Sequence, residues 1–128
     1  MEKKEYAVEL KHNGCNCAQA VLCAFAEESG FPVETLKQVG AAFGGGMGCM
    51  EGTCGALCGA EMLLGLARYS GKPLGRDAAA LHKAFANTCG ATLCKDLKGR
   101  DTGVVLCSCD DCVRNAAALA EEMIFSNR

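Results

Sequence analysis

Glycine and cysteine are concentrated in one short stretch of this sequence, residues 44–59, which holds seven glycines and three cysteines. Glycine lets the backbone take positive φ and approach a bound group closely, and cysteine thiols are soft ligands that also undergo redox chemistry. The combination predicts a thiolate site wrapped in backbone amides, with Gly45, Gly46 and Gly48 lying beside the thiols.

Two phosphate-binding motifs that use clustered glycines do not fit this stretch. A P-loop needs Lys followed by Ser or Thr after its last glycine, and that pair does not follow the run. The dinucleotide fingerprint needs a further glycine three residues after Gly46, where this chain has Cys49, and it needs a preceding strand, whereas the preceding segment is predicted to be helical. Nucleotide binding is therefore disfavoured.

Four cysteines that are far apart in the sequence each fall in or beside the first turn of a predicted helix: Cys17, Cys54, Cys94 and Cys112. A helix N-terminus carries about half a positive charge and unpaired amide donors, so it lowers the pKa of a thiol and hydrogen-bonds the thiolate. Four thiolates in one place repel one another, and bound iron or zinc offsets that repulsion. Four is also the number of cysteine ligands in iron–sulfur clusters and in structural zinc sites.

Cysteine spacing alone identifies no familiar metal-binding module. Cys109 and Cys112 form one C-x2-C pair, whereas a zinc ribbon has two such pairs, and the ferredoxin spacings are absent. Cys23 and Cys89 are interpreted as packing residues. Cys58 is equally consistent with a place beside the site and with the core.

The bulk composition indicates a protein with reduced thiols. The chain has 128 residues, a net charge of −2, five phenylalanines, two tyrosines and no tryptophan, so it offers no basic stripe and few stacking platforms for nucleic acid. The eleven cysteines are odd in number and lie in helical segments, and the first residues do not resemble a signal peptide. No apolar run reaches the roughly eighteen residues of a membrane span. We therefore expect a soluble, cytoplasmic protein.

Helical periodicity recurs along the chain and strand alternation does not, so the sequence predicts an all-α fold. Gly14, Gly30 and Gly90 are expected to end helices. We expect one cysteine-rich redox domain over residues 1–128, a compact bundle of five to six helices with a glycine-rich turn in the middle.

Several helix boundaries follow from this pattern. The clearest predicted helices cover residues 15–29, 54–69 and 77–88. A last helix is expected to open at Cys112, capped by Asp110 or Asp111. Gly55 and Gly59 form a small-residue notch on one helix, consistent with tight internal packing or with a homodimer contact.

Three motifs occur in order along the chain: NCAQAV at residues 16–21, FGGGMG at residues 43–48 and CGALCG at residues 54–59. With the later Cys94 and a cysteine that opens the last helix, they resemble the C-GCAxxG-C-C family of redox-active proteins. The resemblance extends from about Asn13 to Ala118. It implies a redox-active protein with four characteristic cysteines, of a kind found largely in anaerobic bacteria and archaea, and it implies no particular substrate.

The resemblance also implies a set of ligand residues. The family's four cysteines correspond to Cys17, Cys54, Cys94 and one of two residues, Cys109 or Cys112. Cys112 is preferred because Val113 and the alanines after it match the helix that follows. Residues that could lie beside the ligands or replace one of them are Cys49, Cys58, Cys109, Gly45, Gly46 and Gly48.

We therefore interpret the chain as a protein that binds an iron–sulfur cluster through Cys17, Cys54, Cys94 and Cys112 and transfers electrons to a partner that the sequence does not identify. Zinc is the other metal that suits this ligand set. Two further functions stay open, a metal-free thiol–disulfide oxidoreductase and a zinc-stabilised interaction domain. The sequence assigns no enzymatic reaction.

Overall fold

The computed structural model describes residues 1–126, and these residues are predominantly helical. The helices are α1 (Lys3–His12), α2 (Cys17–Ala24), α3 (Ala26–Ser29), α4 (Val33–Gly40), α5 (Gly44–Met47), α6 (Gly55–Arg68), α7 (Gly75–Cys89), α8 (Cys94–Lys98) and α9 (Cys109–Ala120), and α9 continues into a π-helical turn, Glu121–Phe125. Within residues 1–126 there is no β-strand, only an isolated antiparallel bridge between Thr53 and Leu93. The predicted all-α fold is confirmed.

The predicted number of five to six helices is wrong. Three segments of four or five residues, α3, α5 and α8, add to the six longer helices of the described chain. Phe25, with φ −111° and ψ 25°, interrupts the helix predicted over residues 15–29 and separates α2 from α3. The sequence pattern did not reveal this break because Phe25 is apolar and continues the buried face of α2.

The glycine run forms α5, a short turn with left-handed backbone. Gly45, Gly46 and Met47 have φ of 63°, 61° and 63°. This conformation costs an L-residue about 1–2 kcal/mol, whereas glycine adopts it freely. The run is therefore a glycine-rich turn between α4 and α6, and most of its glycines are there to make that turn.

Helix α2 lies at the centre of the fold and contacts α1, α4, α6 and α9. Six of its eight residues are buried. Phe25, just after it, is fully buried and stacks on Phe125 with ring centroids 5.0 Å apart and ring planes 14° apart. None of the helices within residues 1–126 combines the length and the apolar character needed to cross a lipid bilayer.

Two glycines of α6 let the backbones of neighbouring elements come unusually close. A Cβ atom at Gly59 would lie 2.8 Å from the carbonyl oxygen of Ala18 in α2, and one at Gly55 would lie 2.6 Å from the carbonyl oxygen of Phe43. No side chain fits at such distances from fixed backbone atoms. The predicted small-residue notch is therefore used for internal packing of α6 against α2 and the start of the glycine run.

A methyl group at Gly59 should separate α2 from α6. We expect Gly59→Ala to lower the free energy of unfolding by about 1–3 kcal/mol, because the added carbon overpacks the contact with Ala18. Gly65→Ala is a matched control in the same helix, since a Cβ there meets nothing within 4 Å; it should be neutral or stabilise by about 0.5–1 kcal/mol. Urea unfolding of the two variants tests this, and equal stabilities would contradict the close contact.

One carboxylate atom in α6 is buried without a partner. Among the described residues, Oε1 of Glu61 is covered from solvent and makes no hydrogen bond. Burial raises the pKa of Glu61 from 4.5 to about 7. The folded protein therefore holds a proton on Glu61 that the unfolded chain releases over this pH range.

This difference predicts a pH-dependent stability. Between about pH 4.5 and pH 7 the folded state binds one more proton at Glu61 than the unfolded state does, so the stability from this group is present at the acid end and is lost as the pH rises. Glu61→Gln should remove that part of the slope, whereas Glu9→Gln, at an exposed site on α1, should leave it. Urea unfolding across this range measures the slopes. An unchanged slope in Glu61→Gln would show that burial of this carboxyl has no energetic consequence.

Candidate functional site

The isolated bridge between Thr53 and Leu93 brings two of the predicted ligands together. The amide of Cys54 donates to the carbonyl oxygen of Thr92 at 2.8 Å, and the amide of Cys94 donates to that of Gly52 at 3.0 Å. Cys54 caps the N-terminus of α6, and Cys94 is the first residue of α8. Two segments that are forty residues apart in the chain therefore present their cysteines from adjacent backbone positions.

Cys17 reaches the same place as the first residue of α2. The helix start is fixed by a capping box, in which the amide of Gln19 donates to Oδ1 of Asn16 at 2.8 Å and the amide of Asn16 donates to Oε1 of Gln19 at 2.9 Å. The Cβ of Cys17 would lie 3.5 Å from a Cβ at Gly55, the residue after Cys54. The NCAQ motif is therefore a helix start that places Cys17 beside the N-terminus of α6.

The glycine run lies against Cys94. A Cβ atom at Gly46 would lie 2.5 Å from the Cβ of Cys94 and 3.3 Å from its Sγ. The amide of Gly48 donates to the carbonyl oxygen of Gly44 at 2.9 Å. The amide of Gly52 donates to the carbonyl oxygen of Gly46 at 3.1 Å. The backbone of the glycine run therefore packs directly against Cys94. That Gly45, Gly46 and Gly48 donate backbone amides to a bound group stays a prediction.

The last long helix begins earlier than the sequence predicted. Helix α9 starts at Cys109, and its cap is Ser108, whose Oγ accepts from the amide of Asp111 at 3.1 Å. Cys109 is thus the first helical residue, like Cys17 and Cys94 in their helices. Cys112 lies almost one turn further on and is fully buried. The expected caps, Asp110 and Asp111, lie inside the first turn, because Ser108 caps the helix first.

The end of α1 is held against this start of α9. Nζ of Lys11 lies 2.9 Å from Oδ1 of Asp110, and Nε2 of His12 lies 2.8 Å from Oδ2 of the same carboxylate. Since α2 follows α1 after only four residues, these contacts keep Cys17 and Cys109 close to each other.

A second group of thiols lies deeper in the fold. All eleven cysteines are free, and in the part of the chain that the structure describes one group of three potential ligands has all its ligand atoms within 4.8 Å of one another: Cys89, Cys107 and Cys112. We call this group the buried triad. Its three sulfur atoms are positioned to hold a metal ion.

Two polar side chains contact the buried triad. Nδ2 of Asn115 donates to the sulfur of Cys89 at 3.5 Å and lies 3.9 Å from the sulfur of Cys107. Nζ of Lys98 donates to the sulfur of Cys112 at 3.4 Å and to the carbonyl oxygen of Cys107 at 3.0 Å. Each sulfur of the triad therefore has a hydrogen-bond donor aimed at it.

Sequence reasoning missed most of this second group. It assigned Cys89 to packing and gave Cys107 and Lys98 no role. The crowding of three cysteines in residues 107–112 was a usable signal, but Cys89 ends a different helix, and nothing in the sequence relates it to that segment.

The ligand set predicted from the sequence, Cys17, Cys54, Cys94 and Cys112, stays a prediction. Of the set, only Cys112 belongs to the buried triad. Cys58 is half-buried, and its sulfur lies 3.8 Å from the carbonyl oxygen of Thr53. Cys49 is exposed, and its sulfur lies 3.7 Å from the carbonyl oxygen of Gly46.

The thiols outside the triad nevertheless influence one another's charge. Burial, together with negative charge on Cys109 and on Cys54, raises the pKa of Cys17 to about 12. Burial likewise raises the pKa of Cys94, with added contributions from Cys54 and Cys109. Cys17, Cys54, Cys94 and Cys109 therefore form one electrostatic group, which we call the outer group.

Cys54 is the thiol of the outer group that most readily ionises. Its pKa is lowered by the S–H of Cys112, which donates to it, then by the amides of Ala56 and Leu57 at the start of α6 and by the positive charge of Lys98. Hydrogen bonding of its S–H to the sulfur of Cys54 or to that of Cys89 raises the pKa of Cys112. Cys54 therefore agrees with the prediction that a helix start lowers the pKa of a thiol. The pKa values of Cys17, Cys94 and Cys112 are instead raised, by burial at Cys17 and Cys94 and by hydrogen bonding to other thiols at Cys112, and these effects outweigh the helix start.

Comparison with protein families gives one match. The sequence pattern of the family described as "Putative redox-active protein (C_GCAxxG_C_C)" matches residues 15–123. The resemblance stated from the sequence motifs is thereby confirmed. Neither the curated proteins nor the solved structures contain a match to this chain.

The contact between Gly46 and Cys94 predicts different effects for two neighbouring substitutions. Gly45→Ala and Gly46→Ala share the same left-handed backbone strain, but a Cβ at Gly45 meets nothing within 4 Å. We expect Gly46→Ala to be less stable than Gly45→Ala by about 1–3 kcal/mol and to change the rate at which iodoacetamide alkylates Cys94. Urea unfolding and peptide mass spectrometry measure the two effects. Identical behaviour of the variants would argue that the glycine run does not shape the site.

Proposed function

The chain belongs to the C-GCAxxG-C-C family of redox-active proteins, and we propose that it transfers electrons through an iron–sulfur cluster bound by the outer group, Cys17, Cys54, Cys94 and Cys109. The single observation that carries this proposal is that four cysteines, from four distant segments and each at a helix start, interact electrostatically around one place. Such a cluster would supply a one-electron redox couple.

The spacing of the outer group favours a cluster over a single ion. Among the described residues, no three of these sulfur atoms lie within 4.8 Å of one another, so they stand wider apart than the roughly 4 Å at which thiolates share one ion. In a four-iron cluster each thiolate binds a different iron, so its four cysteines stand further apart. A wide set of mutually interacting thiols fits that arrangement.

The surroundings of the outer group suit a bound anionic cluster. The positive charge of Lys98 lowers the pKa of Cys54, and the positive charge of Lys11 acts on Cys17. The backbone amides of Ala56 and Leu57, at the start of α6, also lower the pKa of Cys54. Hydrogen bonds to ligand sulfurs and nearby positive charge both raise the potential of thiolate-ligated iron.

The choice of Cys109 over Cys112 as the fourth ligand differs from the preference drawn from the sequence. Cys109 is the first residue of α9 and interacts with Cys17 and Cys94, whereas Cys112 is fully buried among the sulfurs of the other thiol group. The preference for Cys112 relied on the match of Val113 and the following alanines to a helix, and α9 already begins at Cys109.

Anaerobically purified protein should contain iron and acid-labile sulfide and show broad visible absorption that bleaches on reduction. Cys54→Ser and Cys109→Ser should abolish both signals and lower stability, because ligation contributes to folding. Cys23→Ser, about as buried as Cys54 but remote from the outer group, should keep the iron and lose only a packing contribution on the order of 1 kcal/mol.

Other outcomes of the same experiment assign other functions. If Cys112→Ser loses the iron and Cys109→Ser keeps it, the fourth ligand is Cys112 rather than Cys109. Zinc without iron would support the zinc-stabilised interaction domain. Metal-free protein that forms a reversible disulfide would support the thiol–disulfide oxidoreductase.

A further inference from the structure

The buried triad differs from the outer group in spacing, burial and partners. We propose that Cys89, Cys107 and Cys112 form a separate site for one soft monovalent metal ion, Cu(I), bound by three thiolates. This inference does not rest on the proposed iron–sulfur cluster, because it uses a different set of sulfur atoms.

The geometry of the triad fits a single ion. Its three sulfur atoms lie within 4.8 Å of one another, so a small contraction brings them to the spacing of about 4 Å that metal–sulfur bonds of about 2.3 Å require in a trigonal site. They come from the last residue of α7, the segment before α9 and the first turn of α9. The three residues are only 4%, 8% and 0% exposed, so the site is closed to solvent.

The number and type of ligands favour Cu(I). Within residues 1–126 no fourth histidine, cysteine or carboxylate joins the group at this spacing. Structural zinc is almost always four-coordinate, whereas thiolates select soft ions such as Cu(I), which is stable with three ligands. Binding converts three thiols and one Cu(I) into a three-thiolate complex and releases three protons to solvent, with no change of oxidation state.

Lys98 and Asn115 are suited to support that complex. Nζ of Lys98, 3.4 Å from the sulfur of Cys112, places a positive charge beside an anionic site. Nδ2 of Asn115 lies within 4 Å of both other sulfurs, at 3.5 Å from Cys89 and 3.9 Å from Cys107. Donors of this kind orient metal-binding sulfurs, and their removal typically weakens metal affinity about 10- to 100-fold.

The test is an anaerobic titration of the reduced, metal-free protein with Cu(I) in competition with a chromophoric Cu(I) chelator. Cys89→Ser and Cys107→Ser should each lose the tightest-bound equivalent of Cu(I). Cys23→Ser is the matched control, because Cys23 and Cys89 are both 4% exposed and Cys23 lies outside the triad; it should keep that equivalent. Asn115→Ala, which keeps all three thiols, should bind it about 10- to 100-fold more weakly.

Additional variants keep the two metal proposals apart. Cys94→Ser, which alters only the outer group, should retain the Cu(I) equivalent, and Cys107→Ser should retain iron and sulfide in anaerobically purified protein. Three results would overturn the Cu(I) site: unchanged Cu(I) binding in Cys107→Ser, a zinc ion held in preference to Cu(I) and lost in Cys54→Ser, or a disulfide within the triad that forms in place of metal binding. Circular dichroism confirms that each variant is folded.

Discussion

The close approach of α2 and α6 is the contact on which the rest of the structure depends. It requires glycine at two positions of α6, because a Cβ at Gly59 would lie 2.8 Å from the carbonyl oxygen of Ala18 and one at Gly55 would contact Phe43 in the same way. The four-residue spacing puts both glycines on one face of the helix. This contact places Cys17, at the start of α2, beside Cys54, at the start of α6.

Bringing helix starts together has an electrostatic cost that the cysteines offset. The N-termini of α2, α6 and α9 each carry about half a positive charge, and these charges repel one another. Thiolates at Cys17, Cys54 and Cys109 would neutralise them, but the thiolates in turn raise one another's pKa, as seen for Cys17. The proposed cluster would offset the repulsion among the thiolates, as the thiolates would offset the repulsion among the helix starts.

How much of this could be predicted from the sequence depended on whether a feature is local. The starts of α2 and α6, and the ends of α3 at Gly30 and of α7 at Gly90, have sequence signals within a few residues. The all-α fold and the cysteines at helix starts could therefore be predicted from the sequence. The glycine-rich turn could also be predicted, because glycine adopts positive φ without the steric cost that other residues have.

Features that depend on distant partners could not be read in this way. The break at Phe25 was missed because Phe25 continues the apolar face of α2. The cap of α9 was assigned to Asp110 or Asp111 rather than to Ser108 because these neighbouring residues satisfy the same capping rule. The pairing of Cys89 with Cys107 depends on how α7 packs against α9, and the role of Lys98 depends on where α8 ends. Tertiary packing decides such contacts, and no local periodicity encodes them.

Cys112 connects the two thiol groups. Its sulfur belongs to the buried triad, yet its proton also stabilises a thiolate at Cys54 in the outer group. A single S–H proton donates to one sulfur at a time, so donation to Cys54 leaves Cys89 without it, and loss of that proton on metal binding by the triad removes a donor from Cys54. The charge state of one group therefore acts on the charge state of the other through one shared residue, Cys112.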